Sequence, residues 1–575
     1  MPSSKEVKED AAQIMAHSTG EFLKQSLRAV NDGLTNAVLV VRQRGPSQIQ
    51  FWFIALAIGV VGGFAALGFR KAISGLQALI YGSDDIMLAS LAENLPWQLV
   101  LGVPIAGGLL VGLILHFFTA DARVRSVAEV IEGAALHNGR VRIGSGVASA
   151  FASLITLSAG GSTGREGPMV HLGAVISTWV SRLIRADGIT GRDLVGCGVA
   201  AVVSASFNTP IAGALFALEV VLRHFAVHAF APIVIASVAG TVVSRLEFGN
   251  VTEFVLPAEN VLEYFVELPA FVLLGLICGL VAVILIRSIF WAEDMGDHIQ
   301  NRLRLPRWLR PAIAGGMLGG IAIYFPHIIG VGYATTSAAL TGSLVFWGAV
   351  SFAIVKVVAI VITIAGRMGG GVFSPSLMLG ALTGLSFGLA ATHVFPAVSG
   401  SETLYALAGM GAVAAAVLGA PISTTLIVFE LTGDWQTGLA VMVAVSMSTA
   451  LASRMVDGSF FLGQLERRNI HIAAGPQTYL LATVSVAKIM RAKGGKEAAS
   501  DAACWDLVGR GVYVDGNTNL ETAMPLFDNA GMEFVPVVTI AGEDQPPELW
   551  GALFQVDALR AYNRALTETA REEHS

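Results

Sequence analysis

Gly160-Gly161-Ser162-Thr163-Gly164-Arg165-Glu166-Gly167-Pro168-Met169-Val170-His171 sets an arginine and a glutamate between glycines, at the junction of two apolar segments. Ionisable groups at membrane depth are expensive and mark pathways more often than scaffolds. The glycines disfavour one continuous helix, each costing about 1 kcal/mol against alanine in a helix interior. Pro168 suits the first turn of a new helix, where a missing N–H is no loss. The stretch is therefore expected to end one helix and start another. The new N-terminus would point free N–H groups and a positive dipole end at an anion.

Composition places most of the chain in lipid. Of 575 residues, 54% are hydrophobic and only 14% charged, with a mean hydropathy of +0.67. A soluble protein of this size carries about 25% charged residues. The 64 glycines suit close helix contacts and broken helices. Cys197, Cys278 and Cys504 lie far apart without metal-ligand spacing, so they are read as small buried thiols. Neither a metal site nor a cofactor is expected. A net charge of −6 argues against nucleic acid as a partner.

Residues 1–50 read as a cytosolic arm with loose helical periodicity from Ala11 to Arg42 and no secretory signal. Arg42 and Arg44 flank the first apolar run and favour a cytoplasmic N-terminus. The candidate spans are Phe51–Phe69, Leu99–Phe118, Leu194–Leu222, Phe230–Val243, Leu268–Ile286, Ala312–Tyr324, Val345–Ala365, Leu404–Leu431 and Leu439–Ala452. Other apolar pieces are too short for a hydrocarbon core that needs about 20 residues, which suggests tilted and half-crossing helices. Arg302, Arg304, Arg307 and Arg310 cluster between two spans, as cytoplasmic loops do.

A repeat organises this region. Gly198 to Glu219 aligns without gaps to Gly409 to Glu430, with identities that include Pro210/Pro421 and Glu219/Glu430. At a nearly equal offset, Pro168 to Ala174 pairs with Pro375 to Ala381. Two matched segments imply two homologous halves, about 51–250 and 265–467. Inverted repeats of this kind place an ion site at their interface, near the midplane.

Gly164-Arg165-Glu166-Gly167-Pro168 resembles the GREGP signature of the CLC family of chloride channels and chloride/proton exchangers. Gly370-Gly371-Val372-Phe373-Ser374-Pro375 is similar to the family's GxFxP segment. Gly419-Ala420-Pro421, followed by Glu430-Leu431-Thr432-Gly433, looks like its second-half pattern. The resemblance covers about Phe51 to Ile470. It implies an all-α polytopic membrane protein, a CLC-type inverted repeat of tilted and broken helices over residues 51–467. It also implies a homodimer with one pathway per subunit for chloride or another small anion, and with protons as candidate co-substrates. After Arg468 the composition turns soluble, and residues 468–575 look like a small α/β tail of cystathionine-β-synthase (CBS) type, in a single copy. Gly551 to Asp557 keeps that module's terminal Asp and lacks its hydroxyl residue, so nucleotide binding to the tail is not expected.

The resemblance gives Glu166 the role of gate, a carboxylate that competes with anions for the outer site. Protonated, it can swing away, so acid should bias the gate. Arg165 and Gly167 flank it, and the amides around Val372 and Phe373 are expected to bind the anion. Three departures bear on mechanism. Where the family has GSGIP this chain has Val124-Arg125-Ser126-Val127-Ala128, so that Arg125 takes the place of the coordinating serine, or Ser126 does after a one-residue shift. Arg125 would offer a fixed charge to an anion or turn to the cytoplasmic mouth. Val220 stands where exchangers carry an internal proton glutamate, while Glu219 and Glu430 are read as structural helix-end residues. Phe461 replaces the tyrosine that lends a hydroxyl to the central site.

The reading is a voltage-gated-type chloride channel with passive conduction, in the cell or inner membrane with both termini cytoplasmic. A coupled antiporter, or a transporter retuned to another anion through Arg125, is the alternative. No enzyme is expected. Gly160-Gly161-Ser162-Thr163-Gly164 fits the G-x-S-x-G hydrolase pattern, but that motif needs a strand before it, and Ala148–Leu157 reads as membrane helix.

Overall fold

The computed structural model describes residues 46–82, 95–225, 227–249, 254, 267–396, 399, 401–456, 458–470, 472, 481, 484–495, 498–516, 518–530, 532–539 and 548–574. The expected helix from Ala11 to Arg42 lies outside them. The first half comprises α1 (Gln48–Tyr81), α2 (Trp97–Phe118), α3 (Val127–Leu136), α4 (Ile143–Ser158), α5 (Glu166–Ile184), α6 (Gly188–Phe207), α7 (Pro210–Phe216) and α8 (Val227–Phe248). A π-helical turn, Ala217–Leu222, continues α7. The second half comprises α9 (Leu268–Arg302), α10 (Arg310–Ala322), α11 (Tyr333–Leu340), α12 (Phe346–Ala365), α13 (Phe373–Val394), α14 (Glu402–Leu418), α15 (Pro421–Thr432), α16 (Trp435–Met455) and α17 (Phe460–Glu466). Among the described residues eight helices are long and apolar enough to cross a membrane.

Two expected spans are each two helices. Leu194–Leu222 breaks where Asn208 closes α6 in a left-handed conformation, φ +61°, and Pro210 opens α7. Leu404–Leu431 breaks in the same way at Gly419, φ +68°, and Pro421. A left-handed cap followed by proline at the next helix's first position ends one helix and begins another. Hydropathy is blind to that break because both sides are apolar. Conversely, α13 is a 22-residue helix that meets the length and hydropathy of a span and that the apolar runs did not single out, because Ser, Thr and Gly dilute its signal.

The repeat extends to packing. A Cβ on Gly173 of α5 would lie 2.5 Å from the Gly198 carbonyl of α6. At the matching site, a Cβ on Gly380 of α13 would lie 2.3 Å from the Gly409 carbonyl of α14. Each pair lets two backbones touch, as small residues do where lipid supplies no hydrophobic drive between helices.

The halves also exchange caps. Glu219 accepts the amides of Ile422 (2.9 Å) and Ser423 (2.7 Å) at the start of α15. Glu430 accepts those of Ile211 (3.0 Å) and Ala212 (2.8 Å) at the start of α7. Each glutamate thus satisfies N–H groups that a helix start leaves without a partner, and its charge complements the dipole. The helix-end reading of the pair holds.

After α17 come α18 (Val486–Ile489), β1 (Arg491–Ala492), α19 (Asp501–Gly509), β2 (Val514–Asp515), α20 (Leu520–Ala530), β3 (Phe534–Thr539), β4 (Glu548–Phe554) and α21 (Gln555–His574). The sheet order is β1-β4-β3-β2, with β2 and β3 parallel and the other pairs antiparallel. Val486, Phe527, Val535, Val537, Leu553 and Ala558 form its core. This is a small α/β region, as the composition change implied. The three cysteines are free and buried.

Glu430→Ala strips two amides of their acceptor. It should lower stability by about 1.5–3 kcal/mol, the range for hydrogen bonds to a charged group, read as a lower thermal midpoint in detergent. Glu430→Gln should lose less, and an unchanged midpoint for both would refute the exchanged caps.

Candidate anion pathway

The loops that start α5 and α13 are hydrogen-bonded to each other. Gly164 N–H donates to the Gly371 carbonyl at 2.7 Å, and Gly371 N–H returns the bond at 2.8 Å. Pro168 and Pro375 follow these glycines at equal distance, so the two residues occupy equivalent places in the halves. Reciprocal bonds between equivalent residues are what a two-fold relation between halves produces. The contact admits no side chain: a Cβ on Gly371 would lie 2.9 Å from the Gly167 amide nitrogen. Gly370 has φ +138°, a conformation open to glycine. Thr163 Oγ1 adds a bond to the Gly371 carbonyl at 2.9 Å.

The starts of α3, α5, α13 and α17 surround a cavity of about 280 Å³. Ser126, Glu166, Gly167, Val372, Phe373 and Phe461 all line it, so the fold gathers six of the expected site positions from four segments. Glu166 is 4% exposed and is the first residue of α5. Its carboxylate faces Ser374 without closing a geometrically regular hydrogen bond. A buried carboxylate left short of partners carries a desolvation cost of about 1–3 kcal/mol or more. Phe373 is anchored by Phe207 at 4.9 Å and Phe216 at 5.8 Å between ring centroids. Phe461 is 3% exposed and packs on Phe460.

Of the two candidates Arg125 and Ser126, the arginine lies apart from these residues. It is not among the residues lining the cavity. Its guanidinium pairs with Asp121 at 3.0 Å and lies 3.6 Å from Glu129. Ser126 faces the cavity instead, as N-cap of α3, with its amide donating to Glu129 Oε2 at 2.7 Å. His171 Nδ1, on α5, lies 3.2 Å from the Ser126 carbonyl and links the two helix starts. Neither the one-residue choice nor the pairing is visible in sequence, because the three carboxylate and guanidinium partners compete locally within ten residues.

Arg165 is also off the cavity wall. It is 3% exposed, 3.9 Å from a Glu166 oxygen, and lies 5.1 Å from the Tyr333 ring centroid, within cation–π range. Val220, 4% exposed, sits in the π-helical turn and does not line the cavity. Ser162 is fully buried between α4 and α5, with no strand before it.

Of the ionisable groups that the sequence reading did not name, two stand out. Lys356 is fully buried in α12, and its ammonium donates to the carbonyls of Ile328 (3.4 Å) and Gly330 (3.3 Å). It thereby holds the segment that leads to Tyr333, on which Arg165 rests. A lone lysine in the apolar run Val345–Ala365 was the available signal. The other is Asp297, at the polar end of α9. At about 1.5 Å per residue, this 35-residue helix is roughly 50 Å long, against a hydrocarbon thickness of about 30 Å. Its last turns therefore reach past the lipid core, where Glu293, Asp294 and Asp297 line the cavity together with Arg123, Arg310, Arg367, Arg467 and Arg468.

A helical fold with two related halves and helix starts aimed into a charged cavity defines a membrane protein of the CLC type, a class that transports anions as channels or exchangers. The sequence model described as voltage gated chloride channel matches residues 107–453, and the chain belongs to that family. It is 32% identical, over 68% of its own length and 91% of the relative's, to a protein of Ralstonia nicotianae named as a ClcB-like chloride channel protein. It is 28% identical, over 77% of its length and 92% of the relative's, to the H(+)/Cl(−) exchange transporter ClcA of Yersinia pseudotuberculosis. Among solved structures, a slow cyanobacterial Cl−/H+ antiporter matches with a TM-score of 0.64 at 20% identity, covering 73% of this chain and 97% of that one. A eukaryotic CLC transporter matches with a TM-score of 0.63 at 16% identity, covering 91% and 98%.

Gly371→Ala forces a methyl against the Gly167 amide. Overpacking of this kind costs about 1–3 kcal/mol and here displaces the starts of α5 and α13. Anion flux should fall at least tenfold in protein that still elutes as a folded species; wild-type flux would show that the bridge can shift without consequence.

Proposed function

We propose that the protein conducts chloride passively through the cavity at the starts of α3, α5, α13 and α17, with Glu166 as its gate. The observation that carries this reading is the position of the Glu166 carboxylate. It stands at a helix start, buried, on the wall that Ser126, Val372, Phe373 and Phe461 share. A carboxylate there imitates the anion that the helix ends attract. When it is protonated it loses that attraction and can leave the place to chloride. Ser126, rather than the guanidinium of Arg125, then supplies the side-chain hydroxyl, while the amides of Gly167, Val372 and Phe373 supply donors and Arg165 contributes positive potential. Phe461 contributes an apolar wall.

Passive conduction follows from Val220, which offers no proton to relay. The second reading is coupled exchange by a water-filled route. It is favoured by Glu293, a carboxylate on the wall of the same cavity as Glu166, and by the exchanger named among the relatives.

The arginine-lined end of the cavity is assigned to the cytoplasmic side, with both termini, and the repeat is read as inverted across the membrane. The membrane domain is taken as residues 51–467. The matched residues Ile211 and Ile422 are both about half exposed, with Val238, Leu246 and Met442 also exposed on neighbouring helices. This apolar face suits a second copy of the chain. The tail, residues 468–575, is read as a CBS-like module that supports the dimer. Its Asp557 is held by Arg491 at 2.7 Å, which leaves that carboxylate engaged rather than offered to a ribose.

The test is chloride release from proteoliposomes with external pH recorded at the same time. Wild type should release chloride without proton uptake, and faster at acid pH. Glu166→Gln, a copy of the protonated gate, should match or exceed wild-type flux at pH 7 and lose the pH dependence. Chloride-driven proton movement that vanishes in Glu166→Gln would replace conduction by exchange.

A further inference from the structure

Asp297 binds three arginines that come from three different places in the chain. Its Oδ2 accepts from Arg123 Nη2 at 3.1 Å, and its Oδ1 from Arg367 Nη2 at 2.8 Å and from Arg310 Nη1. Arg123 stands three residues before Ser126, and Arg367 five before Val372. Arg367 holds a left-handed backbone, φ +58°, a conformation uncommon for a residue with a side chain. Arg310 also donates to the Ala365 carbonyl at 2.8 Å, where α12 ends. One carboxylate therefore ties together the two loops that aim Ser126 and Val372 at the cavity.

The charges in this knot are unequal: three guanidiniums meet one carboxylate. Glu293, on the same wall, offsets part of the surplus, and Asp294 is taken up by Arg467. Guanidinium forks match oxyanions and carboxylates in shape as well as charge. The three forks all converge on the one carboxylate of Asp297.

We propose that Asp297 is a positioning residue of the anion pathway, a tethered anion that occupies a three-arginine site at the mouth. It holds both anion-facing loops in place and prevents permeating or cytosolic anions from lodging there. The proposal rests on the cavity being an anion pathway. Replacement of the carboxylate by an amide removes the tethered anion and leaves the forks to a free one.

The experiment uses the full chain and inorganic sulfate, a tetrahedral oxyanion that suits paired guanidiniums. In purified protein, sulfate should raise the thermal midpoint of Asp297→Asn and leave that of wild type unchanged, since a ligand that binds only the folded state stabilises it. In proteoliposomes, sulfate at the arginine-lined mouth should inhibit chloride flux through Asp297→Asn at concentrations at least tenfold lower than in wild type. Asp297→Glu should restore wild-type insensitivity, and Arg123→Gln added to Asp297→Asn should weaken the sulfate effect. A variant that had merely loosened the fold would gain no sulfate affinity. Equal sulfate responses of wild type and folded Asp297→Asn overturn the proposal. If Asp297→Asn does not fold, Arg123→Gln alone decides: a threefold or larger rise in the chloride concentration for half-maximal flux supports the proposal, and no shift overturns it. Absence of chloride flux in wild type would count against the transport reading, while the sulfate-dependent midpoints would still decide for or against Asp297.

Discussion

The structure turns on two hydrogen bonds, between Gly164 and Gly371, that join equivalent points of its two halves. A peptide at membrane depth must find its partners inside the protein. Where α5 and α13 begin, no earlier helical turn can supply them. Each loop takes them from the other, and the price is that neither residue can carry a side chain. The bridge sets both helix starts side by side, so their free amides converge on one cavity instead of facing separate surfaces. Glu166 and Phe373 are equivalent residues of the two halves, one a carboxylate and one an apolar ring, and both line that cavity.

The exchanged glutamates solve the same problem further out. Apolar segments broken at Asn208 and Gly419 create new helix starts at Pro210 and Pro421, each with orphan amides. Glu219 and Glu430 cover them across the halves. A lone glutamate in such a place would be a liability in lipid; here the geometry makes each one the acceptor the other half lacks. Broken helices are tolerated because the break in one half is capped by the other.

The charged residues divide according to where the chain can reach water. Arg125 is consumed by Asp121 and Glu129, and Asp297 by three arginines, in the region where α9 outruns the lipid. Arg165 and Lys356 are buried in the protein, one beside an aromatic ring and the other donating to carbonyls. The result is a cavity whose wall carries Glu166 at a helix start and, elsewhere, guanidiniums paired with Asp294 and Asp297.

Sequence by itself determined the class of the fold, the repeat, the broken start at Glu166 and the helix-end role of Glu219 and Glu430. These are legible because glycine, proline and charge in an apolar background have few structural uses. Tertiary structure alone decided that Ser126 and not Arg125 faces the cavity, since local spacing allowed either and only the reach of Asp121 and Glu129 separates them. It also decided where α6 ends, which hydropathy cannot see between two apolar helices. Asp297 was beyond sequence altogether: its partners lie 13 to 174 residues away, and nothing but the folded chain brings three guanidiniums to one carboxylate.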